Sequence, residues 1–252
     1  MPSFRNGEVE IAFLDEGEGE GEPAVLVHGF ASSKEVNWVG PGWTVTLEGA
    51  GRRAIALDNR GHGESSKLYD PADYHTDLMA EDVRALLDHL KIERADVMGY
   101  SMGARIGAFL AVRHPDRVRS LILGGLGINL VEGEGLPDSI AEALEAPSLE
   151  DVSDPVGRMF RAFADQTGSD HRALAACIRG SRQVMTREEA ATIQVPALVA
   201  VGGKDTIAGA PRPLASLLPK GEALEIPNRD HMLAVGDKVF KAAVTNFLNG
   251  RP

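Results

Sequence analysis

An alternation of short apolar runs with amphipathic segments leaves this chain few possible architectures. The pattern is typical of a parallel sheet with helices on both faces, because strands buried on both faces read as continuous apolar runs. Polar and apolar residues alternate after the turn signal Asn6-Gly7, which predicts a hairpin near the start. Six apolar runs predict the remaining strands, at 24–27, 54–57, 95–98, 118–123, 197–201 and 223–226.

Segments between these runs carry apolar residues at helical spacing. Between residues 77 and 90 the apolar side chains share one face, and Thr76 or Asp77 is placed to cap that helix. A second helix is predicted over Met102–His114, before a proline, and a third carries the buried stripe that begins at Val239. Each strand with its following helix then forms a right-handed crossover unit.

The stretch from residue 128 to residue 190 departs from this alternation. It contains helical fragments rich in Ala, Leu, Arg and Glu but no convincing strand. A chain of 252 residues lies near the upper limit of what one hydrophobic core serves. We therefore predict one α/β core, formed by residues 1–127 and 191–252, with residues 128–190 as a helical cap insertion over the sheet.

Charge and composition exclude several classes of function. The net charge of −11 would repel the phosphates of nucleic acid and an anionic membrane. With Cys177 as the single cysteine, no intramolecular disulfide is possible, and no apolar run approaches the ~18 residues that span a bilayer. A glutamate-glycine run, Gly17 to Glu22, is predicted to be a solvated loop and stands where a secretory signal needs an apolar stretch. We expect a soluble cytoplasmic protein that binds neither nucleic acid nor a membrane.

The segment Gly99-Tyr100-Ser101-Met102-Gly103 follows an apolar strand and opens a helix. Glycines two residues before and after the serine permit a sharp turn that exposes Ser101 at the carboxyl end of the sheet. Its hydroxyl then lies at a helix N-terminus, where free N–H groups favour a developing negative charge. Because an alcohol is a poor nucleophile without a base, the sequence must also supply a histidine and a carboxylate.

The base and the acid are expected in loops after later strands. His231 follows the last predicted strand, so it emerges at the same edge as Ser101. Asp205 follows the strand 197–201 and is the candidate carboxylate. Asp230 is a competitor, but a side chain adjacent to the histidine in sequence usually points away from it. The order serine, aspartate, histidine is the order expected for this architecture.

An oxyanion hole needs two backbone donors that are preset where the tetrahedral oxygen forms. The N–H of Met102, directly after Ser101, is one candidate. The N–H of Phe30 is the other, because Gly29 lets the chain turn after the first parallel strand. His28, in the same loop, is interpreted as a buried, hydrogen-bonded residue.

Four motifs stand in chain order: Val27-His28-Gly29-Phe30, the run DNRGHGES from Asp58 to Ser65, Gly99-Tyr100-Ser101-Met102-Gly103, and Gly203-Lys204-Asp205 with Asp230-His231. Together they resemble the α/β-hydrolase superfamily over essentially the whole chain. The resemblance implies an eight-stranded, mostly parallel sheet with a helical cap between the sixth and seventh strands. It also carries nucleophile, acid and base over to Ser101, Asp205 and His231.

The reaction that this resemblance implies is cleavage of a carboxylic ester or thioester of a small molecule through an acyl-enzyme intermediate. Superfamily dehalogenases and epoxide hydrolases carry aspartate at the nucleophile position, so Ser101 argues against both. The elbow, Tyr100 to Arg105, is also similar to that of menaquinone-pathway lyases, in which the nearby arginine helps bind a carboxylated substrate. Outside that reading, Arg105 is interpreted as a helix-surface charge. A noncatalytic ligand receptor on the same fold is a further alternative.

Three large side chains near the predicted loops are candidates for substrate contact: Trp38, Tyr100 and Met232. Small-molecule sites are mostly apolar with a few polar groups, which suits these residue types. No metal-binding or nucleotide-binding motif stands in the sequence, so neither a metal nor a cofactor is expected. The oligomeric state is left open.

Overall fold

The computed structural model describes residues 2–16, 21–133 and 135–251. The strands are β1 (Ser3–Asn6), β2 (Val9–Glu16), β3 (Glu22–Val27), β4 (Arg52–Leu57), β5 (Ala95–Tyr100), β6 (Val118–Gly124), β7 (Ala197–Gly202) and β8 (Gly221–Ile226). They form one sheet in the order β1-β2-β4-β3-β5-β6-β7-β8. The pairs β1–β2 and β2–β4 are antiparallel, and the other neighbours are parallel.

Helices connect the strands and cover the sheet. They are α1 (Trp43–Gly49), α2 (Thr76–His89), α3 (Met102–Arg113), α4 (Ser139–Glu145), α5 (Pro155–Thr167), α6 (His171–Gly180), α7 (Arg187–Ala191), α8 (Pro211–Ala215) and α9 (Lys238–Gly250). Shorter helical turns cover Glu35–Val39, Pro71–Tyr74, Pro115–Arg117, Ile128–Leu130 and Leu149–Asp151. None of the helices within the described ranges has the length and apolarity that crossing a bilayer requires.

The sheet confirms the predicted fold class. Each of the six predicted runs lies inside one of the strands β3 to β8, and the Asn6-Gly7 turn joins β1 to β2. Strands β5 and β7 are buried along their whole length, which is why their sequences read as continuous apolar runs. Strand β8 is at the edge and is largely exposed or half-buried.

The cap of α2 differs from the prediction. His75, and neither Thr76 nor Asp77, is the N-cap residue, and its ring Nδ1 accepts the Asp77 N–H at 3.3 Å. Thr76 is already inside the helix, and its hydroxyl donates instead to the side chain of Gln183 at 2.7 Å. The cap was missed because imidazole is an unusual acceptor at this position.

The predicted loop from Gly17 to Glu22 is tested only at its end. Residues 17–20 lie outside the described residues. Glu22 belongs to β3, so the prediction that it lies in the loop is wrong. Its backbone pairs with that of Arg52 in β4, and its carboxylate accepts a hydrogen bond from Arg251 at 2.7 Å.

Helices α4 to α7 lie between β6 and β7, and the described part of residues 128–190 contains no strand. Leu144, Phe160 and Leu174 of these helices belong to the same hydrophobic cluster as Leu121 of β6. The stretch therefore shares its core with the sheet and does not form a separate core. The boundaries 1–127, 128–190 and 191–252 stay a prediction.

The carboxyl ends of the parallel strands meet at one edge of the sheet. Val27 at the end of β3 pairs with Gly99 in β5, and Gly202 at the end of β7 pairs with Ile226 at the end of β8. The loops after these strands therefore emerge side by side. Ligand sites of α/β proteins lie at this edge.

The turn from β5 into α3 has no room for side chains at two positions. A Cβ on Gly99 would lie 2.2 Å from the carbonyl oxygen of Gly103, and a Cβ on Gly103 would lie 1.9 Å from the carbonyl oxygen of Val27. Both obstacles are backbone atoms in packed elements, so they cannot rotate away. The two glycines thus let α3 pack directly against β3 and β5.

Gly103→Ala should lower the free energy of unfolding by about 3 kcal/mol, because its methyl group would overpack the β3 backbone. Urea unfolding followed by circular dichroism measures the change. Gly49→Ala in α1 is the control, since its methyl group would meet nothing within 4 Å. An alanine there should leave stability unchanged or raise it by up to about 1 kcal/mol. Equal stabilities of the two variants would contradict the packing argument.

Candidate active site

Ser101 occupies the turn between β5 and α3. Its φ of 55° and ψ of −113° lie where residues with side chains are rare, at a cost of about 1–3 kcal/mol. The Ser101 N–H donates to the Gly124 carbonyl at 2.7 Å, and the Ser101 carbonyl accepts the Arg105 N–H at 3.1 Å. These bonds, to β6 and to the first turn of α3, hold the strained residue in place.

Three side chains from distant parts of the sequence form a hydrogen-bonded chain at this edge. His231 Nε2 lies 3.0 Å from Ser101 Oγ, and His231 Nδ1 lies 2.7 Å from Asp205 Oδ2. The second carboxylate oxygen, Oδ1, accepts the N–H groups of Ile207 at 2.8 Å and Ala208 at 3.0 Å. The structure thus brings together the three residues that the sequence singled out, while their catalytic roles stay a prediction.

The negative charge on Asp205 is stabilised beside the imidazole of His231. Burial alone would raise the pKa of this carboxyl group, but the hydrogen bond and charge of His231 and the two backbone N–H groups outweigh it. The pKa of Asp205 therefore lies below its ordinary value near 3.8. An ionised carboxylate keeps the proton of the neutral imidazole on Nδ1 and leaves Nε2 free to accept from Ser101.

The backbone of His231 is fixed by two neighbours. The hydroxyl of Tyr100 donates to the His231 carbonyl at 2.6 Å. Asp230 Oδ1 accepts the N–H groups of Met232 and Leu233, at 3.1 and 2.9 Å. The carboxylate of Asp230 therefore forms hydrogen bonds within its own loop, as expected. Tyr100, the residue before Ser101, links β5 to the loop that carries His231.

The loop after β3 approaches Ser101 closely and is tied to the core. A Cβ on Gly29 would lie 3.5 Å from the Ser101 Cβ. The Gly29 N–H donates to Asn37 Oδ1 at 2.9 Å, and Asn59 Nδ2 donates to the His28 carbonyl at 2.9 Å. The loop thus reaches the serine in a fixed conformation. Asn37 was missed at the sequence level because no pattern marks it.

Two buried histidines pack against each other here, His28 in this loop and His62 in the segment after β4, with ring centroids 5.2 Å apart. Burial lowers the pKa of His28, and burial together with the nearby His28 lowers the pKa of His62 to about 3. Both rings are therefore neutral at physiological pH. His28 Nε2 accepts the Asn59 N–H at 3.0 Å. This agrees with the prediction of a buried, hydrogen-bonded His28.

Two cavities meet at the serine. The first is lined by residues that include Phe30, Ser101, Met102, Arg105, Asn129 and Ser181. The second is lined by residues that include Phe30, Asn37, Tyr100, Ser101, His231 and Met232, with Phe160 and Phe163 of α5 on its wall. Both predicted oxyanion-hole residues, Phe30 and Met102, therefore border the space in front of Ser101. As the first residue of α3, Met102 has an N–H without an intrahelical acceptor.

Two of the three residues predicted to contact substrate line a cavity at Ser101, and the third does not. Tyr100 and Met232 line the second cavity, so they lie where a substrate would contact them. Trp38 does not line this cavity: its side chain is fully buried and packs edge-to-face on Trp43 with ring centroids 6.3 Å apart. The prediction that Trp38 contacts substrate is corrected accordingly. It failed because the loop turns this side chain into the core while its neighbour Asn37 faces the cavity.

Arg105 is buried, so its interpretation as a helix-surface charge is wrong. Its guanidinium donates to the carbonyls of Gln183 at 2.8 Å, Asn129 at 3.0 Å and Leu130 at 3.4 Å, and it borders the first cavity. Burial lowers the pKa of Arg105 to about 10, so the group is still charged at neutral pH. The burial of Arg105 could have been predicted from the sequence of α3, because a helix that is apolar on every side is a buried helix.

The parallel sheet and the strand–turn–helix elbow at Ser101 define the class as an α/β protein with a site at the carboxyl ends of its strands. A sequence model of the alpha/beta hydrolase fold matches residues 23–131. A protein of Caulobacter sp. (strain K31), provisionally named a carbamate hydrolase, is 31% identical over 227 aligned positions, and the match covers 79% of this chain and 81% of that protein. The chain belongs to the alpha/beta hydrolase family.

Two further similarities extend over most of the chain. The dihydrolipoyllysine-residue acetyltransferase component of the acetoin cleaving system of Pseudomonas putida is 37% identical over 235 aligned positions, and the match covers 86% of this chain. The chain spans only 60% of the length of that relative. The crystal structure of a hydrolase from Pseudomonas aeruginosa PA01 has a TM-score of 0.79 at 24% identity, covering 99% of this chain and 98% of that one. This last similarity shows the shared fold.

Asp205→Asn should remove a stabilisation that depends on pH. Because the pKa of Asp205 is lowered in the folded chain, its ionised form stabilises the fold above the ordinary pKa near 3.8, and this contribution is lost as the pH falls through the folded-state pKa. The difference in unfolding free energy between wild type and variant should therefore be larger at neutral pH than at about pH 3. Urea unfolding across this range measures it.

Asp230→Asn is the matched control, because it removes a carboxylate from the same edge that binds only backbone N–H groups of its own loop. If the wild-type and Asp205→Asn curves stay parallel across the pH range, the carboxylate–imidazole bond does not stabilise the folded state as described.

Proposed function

We propose that the protein is a serine hydrolase that cleaves a carboxylic ester or thioester of a small molecule. One observation carries the proposal: the continuous chain from Ser101 Oγ through the His231 imidazole to an ionised Asp205, with distances of 3.0 and 2.7 Å. This arrangement gives an alcohol the adjacent base that it needs in order to attack a carbonyl carbon.

The reaction proceeds in two half-reactions. Ser101 Oγ attacks the carbonyl carbon while His231 Nε2 takes the hydroxyl proton, and the imidazolium that forms is stabilised by Asp205. The N–H groups of Phe30 and Met102 donate to the oxyanion of the tetrahedral intermediate. His231 then returns the proton to the departing alcohol or thiol, which leaves an ester on Ser101. Water, deprotonated by the same imidazole, releases the acid and restores the hydroxyl.

The relatives support reaction at a carbonyl group. The Caulobacter protein is named for hydrolysis of a carbamate and the Pseudomonas putida protein for transfer of an acetyl group. Both names describe substitution at a carbonyl carbon. Acyl transfer to Ser101 followed by hydrolysis belongs to the same class of chemistry.

Ser101→Ala should lower kcat on p-nitrophenyl esters by at least about 10³-fold, because without the Ser101 hydroxyl no acyl-enzyme can form. The test is a panel of esters of increasing acyl length, beside labelling with a fluorophosphonate probe. Ser216→Ala is the control, since this exposed serine bonds the Arg212 carbonyl at 3.0 Å and lines neither of the two cavities at Ser101. Undiminished turnover or labelling in Ser101→Ala would refute the mechanism.

A second candidate is supported by the buried charge of Arg105. A guanidinium that borders the cavity in front of Ser101 favours a substrate that carries a carboxylate, as in the lyase alternative. In that reaction Ser101 and His231 would move a proton instead of forming an acyl-enzyme. Arg105 is the anion-binding group of the second candidate and has no role in the first, and the two candidates also differ in whether Ser101 becomes acylated.

Arg105→Gln should lower the preference for an anionic over a neutral ester by about 10-fold or more, because a charge-assisted hydrogen bond is lost. The preference is the ratio of kcat/KM for p-nitrophenyl glutarate to that for p-nitrophenyl valerate. Arg161→Gln is the control. Arg161 is also buried and donates to the backbone carbonyls of Ala143 and Ala146, but it does not border the first cavity. An unchanged ratio in Arg105→Gln would rule out the anionic subsite.

A further inference from the structure

Helix α5, from the stretch between β6 and β7, packs on the loop after β3, which we call the β3 loop (residues 28–32). The ring of Phe160 meets the ring of Phe30 edge-to-face, with centroids 5.8 Å apart. Thr167, the last residue of α5, places its hydroxyl oxygen 3.1 Å from the Ala31 carbonyl oxygen. The helix thus contacts the loop that carries one of the two proposed oxyanion donors.

The β3 loop is strained at Ala31, whose φ is +58°. The Ser32 N–H points back to the Gly29 carbonyl at 3.4 Å, so Ala31 is the third residue of a tight turn. A positive φ at this position alone is the type II arrangement, which favours glycine or asparagine. An alanine with this conformation costs free energy, and it persists only where surrounding contacts hold it.

The Ala31 carbonyl needs a donor, because the residue is fully buried. Among the hydrogen bonds of the described residues, the Thr167 hydroxyl is the donor that reaches it. That hydroxyl is also 3.1 Å from the Phe163 carbonyl and 3.2 Å from the Ala164 carbonyl. Both of these already accept backbone N–H groups of the helix end, and Ser169, at 2.8 Å, can donate to Thr167. We therefore assign the Thr167 hydroxyl proton to the hydrogen bond with the Ala31 carbonyl.

We propose that Thr167 is a positioning residue for the oxyanion hole. Its bond to Ala31 holds the strained turn and so aims the Phe30 N–H at the oxygen of the carbonyl that Ser101 attacks. The core holds the start of the loop, through Asn37 and Gly29, and α5 holds its end. The inference rests on the proposed acyl transfer, and it gives the helical stretch a part in the chemical step as well as in enclosing substrate.

Thr167→Val tests the proposal, because valine has the shape of threonine but no hydroxyl. With p-nitrophenyl butyrate we expect kcat to fall about 10-fold and KM to stay within about 2-fold, since a misaimed donor weakens binding of the transition state more than binding of the substrate. Thr167→Ser, which keeps the hydroxyl, should restore kcat to within about 2-fold of wild type. The control is Thr46→Val, which removes a threonine hydroxyl that bonds its own helix, at Gly42, away from the site.

Inhibitor affinity separates a positioning role from a general loss of packing. An alkyl trifluoromethyl ketone forms an oxyanion with Ser101, whereas the methyl ketone of equal length binds mainly without one. In Thr167→Val the affinity for the trifluoromethyl ketone should fall by the same factor as kcat/KM, while the affinity for the methyl ketone should stay within about 2-fold of wild type.

Three results would overturn the proposal: a wild-type kcat in Thr167→Val, equal weakening of both ketones, or no recovery in Thr167→Ser. Failure of the proposed hydrolase function is a separate result, because wild type itself would then neither turn over the ester nor react with a fluorophosphonate. If wild type does both and Thr167→Val matches it, only the positioning role is lost.

Discussion

The direct packing of α3 against the backbone of β3 and β5 is the constraint on which the rest of the site depends. It requires Gly99 and Gly103, and it leaves a single residue, Ser101, to reverse the chain between strand and helix. The serine hydroxyl consequently stands at the edge of the sheet, beside the first N–H groups of a helix that have no intrahelical acceptor. One packing requirement therefore places the half-buried candidate nucleophile at the sheet edge, strains its backbone and leaves one backbone N–H free to donate to a negative charge.

The partners of Ser101 are brought to it by the sheet. Asp205 and His231 are 26 residues apart, and His231 is 130 residues from the serine, so only strand order and register can align them. The Tyr100 hydroxyl then binds the backbone carbonyl of His231, which joins the elbow to the histidine loop directly. The imidazole is thus fixed both through its own loop and through the strand that carries the serine.

The fold and the three-residue chain could be predicted because each rests on local rules. Continuous apolar runs mark strands buried on both faces, and the glycine spacing around Ser101 marks a turn with no room for side chains. Positions after strand ends are read from the same pattern, which places Asp205 and His231 at the same edge. These inferences need only the chain direction and the parallel sheet.

The predictions that were wrong or missing concern side chains whose neighbours come from distant segments of the chain. Trp38 and Asn37 are neighbours in one helical turn, and no local sequence pattern indicates which of the two side chains faces the core. Arg105 is buried by carbonyls about 25 and 78 residues away, and Thr167 meets a carbonyl 136 residues away. Composition and periodicity carry no information on such contacts, because they are fixed by how the stretch between β6 and β7 folds over the sheet.

Backbone strain in this chain is concentrated at the edge that carries the site. Among the described residues other than glycine, Ala31, Ser101 and Asn228 have positive φ and follow β3, β5 and β8, whereas Lys91 precedes β5 at the opposite edge. Such residues cost about 1–3 kcal/mol each, against a typical net stability of 5–15 kcal/mol. Asparagine tolerates this conformation, but serine and alanine do so only when held by neighbours. In the proposed hydrolase, the strain at Ser101 and Ala31 accompanies the two groups that this edge would present to substrate, a hydroxyl and the Phe30 N–H, because the strand order alone requires neither.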